Sequence, residues 1–144
     1  MSDAGDVVAS RAAEAPAGKM LGMQVFQVEP GHSHAEFQAR EEFYNPAGVV
    51  QGGFLAAMLD MTMGEAARSV VEQAKTQMTL EMKISYIQPA KAGKLIGKGR
   101  VLHKGRSIIF AEGSLMAEDE ALVATGTSTW RILPRPSGAR SKEG

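Results

Sequence analysis

The sequence contains no cysteine, which excludes disulfide scaffolds, thiol nucleophiles, Cys-ligated zinc and iron–sulfur clusters. It also lacks net charge. Its 16 Lys and Arg balance 16 Asp and Glu, so a chain that coats nucleic acid by bulk positive charge is not expected. Long hydrophobic runs are missing as well. The most apolar stretch, Gly53 to Met63, carries Asp60 and falls well short of the roughly 20 residues a bilayer span needs. Asp3 and Asp6 open the chain and no basic-then-apolar run follows. The sequence therefore predicts no secretory leader, no membrane partner and a cytoplasmic location.

What is present fits one globular domain: 144 residues, 44% hydrophobic and 22% charged. A chain of this length removes roughly 70% of its unfolded surface from water, so neither metal nor disulfide is needed to hold it. The zero charge conceals an asymmetry. Residues 1–60 hold 8 acids and 3 bases, whereas residues 61–144 hold 8 acids and 13 bases. Between Pro89 and Ser107 stand Lys91, Lys94, Lys98, Arg100, Lys104 and Arg106 without an acid. Such a run suits either a polyanion or a strand edge kept soluble by lysine.

Local pattern divides the chain. Asp6 to Ala15 reads as a short helix stopped by Pro16 and Gly18. Met20 to Glu29 and His34 to Glu42 read as strands of a hairpin around Glu29-Pro30-Gly31. Tyr44 to Gly48 is loop chemistry, and Gly52-Gly53 opens a strong helix to about Ala74. Four strands then follow, Thr79 to Ile87, Lys94 to His103, Ser107 to Ala117 and Ala121 to Ile132. In the first, Leu80, Met82, Ile84 and Tyr86 alternate with Thr79, Glu81, Lys83 and Ser85. These elements predict residues 1–19 as an N-terminal extension, 20–133 as the folded domain and 134–144 as a flexible tail. A sheet with one apolar face needs cover, and the central helix is the sizeable element available. The expected class is α+β, a curved antiparallel sheet wrapped around one long central helix.

That helix is apolar nearly all round in its first turns, which predicts burial. At 100° per residue, Gly53, Ala56, Ala57, Asp60, Gly64 and Ala67 share one face. An ionised carboxylate among small apolar residues costs several kcal/mol unless it is paired or hydrogen-bonded. Asp60 is therefore either a functional acid or a residue that reaches solvent or caps a loop. The helix start, led in by Asn45, Gln51, Gly52 and Gly53, offers unpaired amides and the positive end of the dipole. Glycines there leave room for a carbonyl oxygen, so the start is either an oxyanion hole or an ordinary Gly-containing helix entry. His32-x-His34 reads as part of a surface turn and strand start rather than as a metal site. Gly97-x-Gly99 lacks the third glycine of a nucleotide-binding turn.

The run Asn45-Pro46-Ala47-Gly48-Val49-Val50-Gln51-Gly52-Gly53, with Asp60 eight residues after Gly52, resembles the acyl-CoA thioesterases of the hotdog fold, in particular the phenylacetyl-CoA thioesterase-like subfamily. Ile84 to Ala90 and Lys104-Gly105-Arg106 are similar to that family too, and the likeness spans about Met20 to Leu133. The resemblance implies a hotdog sheet around one helix, paired as a homodimer or dimer of dimers with sites at the interface. It implies an acyl-CoA substrate whose coenzyme A is part of the substrate, with no cofactor and no metal. By the same resemblance the Gly52 amide holds the thioester oxygen, Asn45 positions carbonyl or water, and Asp60 is nucleophile or water-activating base. Thr79 falls where relatives hold water from the partner chain. Lys104 and Arg106 with Ser107 lie where relatives meet coenzyme A. Phe54, Met58, Met63 and Ile87 are candidates to line an aromatic or medium-chain acyl pocket, and Gly53 and Tyr86 are further candidates for binding substrate. Lys91, Lys94 and Lys98 remain readable as a soluble edge.

One position departs from the pattern. Gln51 stands where the family carries His, and an amide donates a hydrogen bond but transfers no proton. This motivates a second expectation, a non-catalytic acyl-CoA-binding hotdog protein. Hydratase chemistry, which leans on a His with an acid, fits the motif less well.

Overall fold

A computed structural model describes residues 5–136. Ser10 caps a short helix α1, Arg11–Glu14, by accepting from the Ala13 amide. Pro16 stands at the first turn of a second helix α2, Pro16–Met20. The single helix expected over Asp6 to Ala15 is thus replaced. Its first residues form a strand β1, Val7–Val8, and Pro16 starts a helix because its missing N–H is not needed there. Strand β2 is also shorter than expected, Gln24–Phe26, since Met20 belongs to α2 and Gly22 turns the chain at φ 61. Strand β3 runs His32–Ala39, after which Glu41–Phe43 form a 3-10 turn.

The central helix α3 spans Gly52–Arg68 and stops short of Ala74. The Ser69 hydroxyl donates to the Ala66 carbonyl, and Val70 and Val71 close tighter turns onto Ala67 and Arg68. These bonds occupy the last carbonyls of the helix. Strands β4, Lys75–Tyr86, β5, Gly93–Lys104, β6, Ile108–Ala117, and β7, Leu122–Pro134, complete the chain. Pro134 therefore closes a strand instead of opening the expected tail, and 137–144 lie outside the described residues.

All seven strands form one antiparallel sheet in the order β1-β2-β3-β5-β6-β7-β4. β1 ties the N-terminal segment into this sheet through Val7 opposite Phe26. α3 lies across one face, and its Met58, Leu59 and Met63 are fully buried against Phe37, Leu95, Ile109, Leu115 and Val123. Burial of each such side chain contributes about 1.5–3 kcal/mol. Three glycines stand in one row beneath the helix, Gly99 opposite Gly113 and Gly113 opposite Gly126. A Cβ on Gly99 would come within 2.8 Å of the Thr62 carbonyl oxygen, and one on Gly113 within 2.8 Å of Met63 Cγ. The row is what lets the middle of α3 approach the sheet. Among the described residues no helix is long and apolar enough to cross a membrane.

β4 is the outer strand on its side of the sheet and pairs with β7 alone. Thr79 pairs with Trp130 and Glu81 with Thr129, so Leu80 is an inserted residue. This bulge reverses the alternation read from the sequence. Thr79 shares the helix-facing side with Met82, Ile84 and Tyr86, while Met78 and Leu80 are exposed at 57% and 58%.

Candidate active site

The loop before α3 is shaped by Asn45. Its Oδ1 accepts from the Ala47 amide at 3.0 Å and the Val49 amide at 3.4 Å, and its own N–H donates to the Val49 carbonyl. Asn45 thus builds the turn, with Gly48 at φ 77 and the Lys91 ammonium on the Gly48 carbonyl at 2.8 Å. The bond from Val50 to the Ala90 carbonyl then delivers the chain to Gln51. The Gln51 side chain is exposed and makes no capping bond.

Among the described residues the amides of Gly52 and Gly53 meet no acceptor, as expected for the first turn of a helix. Tyr86 lies against this turn. Its hydroxyl donates to the Gly52 carbonyl at 3.1 Å, and a Cβ on Gly52 would stand 3.2 Å from its ring. Beside these glycines opens a cleft of about 300 Å³ walled by Val49, Leu55, Tyr86, Ile87 and Pro89. Sequence reasoning singled out neither Val49, Leu55 nor Pro89, although they sit within or beside the motifs Asn45 to Gly53 and Ile84 to Ala90. Phe54 stacks on Phe43 with centroids 4.2 Å apart.

Asp60 is half-buried, and its Oδ1 accepts from the Thr79 hydroxyl at 2.7 Å. The bulge at Leu80 makes this contact within one chain, where the resemblance implied that Thr79 reaches the site from a partner. Gly64, one turn on, receives the edge of Trp130, where a Cβ would be 3.0 Å from the ring. The small-residue face is therefore covered by the sheet towards the C-terminus of α3 and open at Gly53, which has nothing within 4 Å.

Gly52 and Asp60 are eight residues apart on one helix, which at 1.5 Å per residue separates them by about 12 Å along the axis. No carbonyl held on the Gly52 amide lies within attacking distance of the same chain's Asp60. Lys104, Arg106 and Ser107 are exposed on the β5–β6 hairpin. Lys104 pairs with Ile109, Ile109 with Trp130 and Trp130 with Thr79. The hairpin is thus on the row of Thr79 but three strands away, roughly 14 Å at the usual strand spacing. Met63 is not brought to the helix entry. It is fully buried beneath the glycine row with its sulfur accepting from Ser128, because its place on α3 faces the sheet. His34 lies on the far side of β3 beside Glu36 at 3.5 Å. Burial holds its imidazole below the usual pKa, against the opposing pull of Glu36.

Residues 47–124 match the model of the thioesterase superfamily, which covers the end of the loop, α3, strands β4, β5 and β6 and the first residues of β7. The chain belongs to this family. Human acyl-coenzyme A thioesterase 13 is 28% identical over 114 residues, spanning 77% of this chain and 81% of that protein. A phenylacetic acid degradation-related protein from Ralstonia eutropha is 35% identical, with TM-score 0.77 over 81% of this chain and 90% of that one. The Escherichia coli PaaI protein, at 18% identity and TM-score 0.77 over 83% of this chain and 85% of its own, shares the fold. The hotdog architecture of a thioesterase-family hydrolase is therefore the frame that holds Asp60, Thr79 and the glycine amides.

Proposed function

We propose that the protein hydrolyses an acyl-CoA thioester to a free carboxylic acid and coenzyme A, in the cytoplasm and without a cofactor or metal. The observation that carries this reading is the Asp60 carboxylate held by Thr79 on the helix of a thioesterase-family fold. With Asp60 as base, its carboxylate takes a proton from water. The oxygen adds to the thioester carbon, the C–S bond breaks, and the departing thiolate regains the proton. With Asp60 as nucleophile, its oxygen displaces the coenzyme A thiolate to form an anhydride. Water then cleaves the anhydride, releasing the acid, restoring the carboxylate and supplying the thiolate's proton. In either case the amides of Gly52 and Gly53 receive the developing oxyanion, and the cleft beside Tyr86 takes the acyl group.

The spacing of about 12 Å supports a two-chain site. Asp60 and Thr79 of one copy serve a carbonyl held at Gly52 of another, in a homodimer or dimer of dimers. The unpaired edge of β4, with Met78 and Leu80 exposed, suits pairing with a second copy. Lys104, Arg106 and Ser107 would meet the phosphates of coenzyme A. Release of free thiol from a panel of aromatic, short and long acyl-CoAs tests the reaction, and absence of thiol release across the panel overturns it.

Two variants refine the roles. Thr79→Ala is expected to lower kcat by about 10–100-fold through loss of the bond that orients Asp60, and Thr79→Ser to restore most of it. A merely structural Thr79 would leave kcat untouched in both. Replacing Lys104 and Arg106 together by Ala should raise KM about tenfold with little change in kcat, because uniform ground-state binding is lost. The exposed Gln51 supports a second reading, binding of acyl-CoA without turnover. Under that reading equilibrium binding persists with no thiol release, and Gln51→His confers hydrolysis.

A further inference from the structure

We propose that the cleft between α1, the end of α3 and the exit of β7 binds a phosphoryl oxyanion. Arg11 at the start of α1, Arg68 at the end of α3 and Arg135 just beyond β7 all line one cavity of about 310 Å³. Among the described residues none of the three forms an ion pair. The one acid in the wall, Glu65, has Oε1 occupied by the Ser10 hydroxyl at 2.9 Å. Three guanidinium groups against one carboxylate leave the cavity with a net charge of +2.

Two further atoms in the wall define the ligand. Arg135 Nε is buried without a hydrogen-bond partner, and so is Gln77 Oε1. The Arg135 backbone and the Gln77 side chain are each tied to a neighbouring element. The Arg135 amide donates to the Ala74 carbonyl at 3.0 Å, and Gln77 Nε2 donates to the Gly64 carbonyl at 3.4 Å. An orphaned buried donor and an orphaned buried acceptor are each costly, so a ligand that accepts from one and donates to the other is favoured here. Guanidinium forks match the oxygens of phosphoryl and carboxylate groups. Gln77 Oε1 decides between them, because it requires a donor. A hydrogenphosphate carries P–O⁻ and P–OH on one centre, whereas carboxylate and sulfate ions only accept.

The site lies outside the proposed thioester chemistry: Arg68 is eight residues beyond Asp60 on α3, about 12 Å further along the helix axis. Its phosphoryl group has two possible sources, free hydrogenphosphate, which carries its own P–OH, or the nucleotide end of a coenzyme A ester, where the ribose hydroxyl beside the phosphate would supply the donor. The assignment itself does not depend on the thioesterase reading.

Calorimetric titration of the full chain at pH 7 and fixed ionic strength tests the proposal, using inorganic phosphate, sulfate and adenosine 3′,5′-bisphosphate in turn. One phosphate per chain is expected, bound about tenfold more tightly than sulfate. Arg68→Gln with Arg135→Gln should weaken it by about a hundredfold, tenfold for each charged hydrogen-bond donor removed. Gln77→Met, which keeps the side-chain volume, should abolish the preference for phosphate over sulfate and leave sulfate binding unchanged. This variant reads the site even if the double arginine variant fails to fold. Tighter binding of the bisphosphate, in competition with phosphate, assigns the group to the substrate's nucleotide end, whereas phosphate binding alone assigns it to the free ion. Equal heats from phosphate and sulfate, no saturable binding, or unchanged phosphate affinity in the arginine variant overturns the proposal.

Discussion

Asp60→Asn is expected to lower kcat for thioester hydrolysis by about 10³–10⁴-fold while leaving the fold intact. The amide is isosteric and retains an oxygen for the Thr79 hydroxyl, which donates to Oδ1 at 2.7 Å. What disappears is the negative charge proposed to attack the carbonyl or to remove the proton from water. The cost to stability is limited to converting a charge-assisted bond into a neutral one, about 1 kcal/mol. Thiol release and thermal melting, measured on the same preparation, separate the two effects. Turnover within tenfold of wild type would remove Asp60 from the mechanism.

The same variant tests the two-chain arrangement. Gly52→Pro deletes the amide proposed to hold the oxyanion at the first residue of the helix, where the proline backbone fits and its Cβ, 3.2 Å from the Tyr86 ring, requires that ring to yield by a few tenths of an ångström. Gln51 already has the extended backbone that a following proline demands, φ −58 and ψ 134. Each variant alone should be inactive. After co-refolding, half of the dimers contain one chain of each kind, and each of these has one intact site of two. Activity should therefore return to about a quarter of wild type. A site contained in one chain would regain nothing on mixing.

Gly99→Ala is expected to destabilise the protein by about 3 kcal/mol, lowering the melting temperature by roughly 10 °C for a chain of this size. A Cβ there would stand 2.5 Å from Ser33 Oγ and 2.8 Å from the Thr62 carbonyl oxygen. These are the two atoms joined by a buried 2.6 Å hydrogen bond between β3 and α3. The helix backbone cannot rotate away as a flexible side chain would, so α3 must lift from the sheet or the bond must break. Gly53→Ala provides the contrast, since nothing lies within 4 Å of its Cβ, and its melting temperature should stay near wild type. Equal melting temperatures for wild type and Gly99→Ala would show that the helix is not seated on the glycine row.

The central helix, its entry glycines and the later strands were legible in the sequence because each is a strong local pattern. Alternation marked the strands, and the apolar run opened by Gly52-Gly53 marked α3. The misreadings arose where tertiary contacts override local pattern. Val7 and Val8 form a strand only because Phe26 and Val25 are there to pair with. The bulge at Leu80 depends on the register with β7 and leaves no signature in β4 itself. It moved Thr79 to the helix face, so the Asp60–Thr79 bond was not legible even though both residues were singled out. Met63 was misplaced for a related reason: its neighbours in space are Gly113 and Gly126, far away in sequence. Asn45 was recognised by motif, but its bonds to Ala47 and Val49 show it shaping the loop from within.

The hydrogen bond from Tyr86 to the Gly52 carbonyl has an effect on the opposite side of that peptide. The C=O of Gly52 and the N–H of Gly53 belong to one rigid plane, so anchoring the oxygen at 3.1 Å fixes where the hydrogen points. Tyr86 thereby sets the aim of a backbone dipole with its hydroxyl while its ring walls the adjacent cleft. A donor aligned during folding needs no reorientation when charge builds on a substrate oxygen. The side chain that walls the cleft and the peptide that would receive a substrate oxygen are in this way mechanically one unit, and a change in cleft shape at position 86 also re-aims the amide.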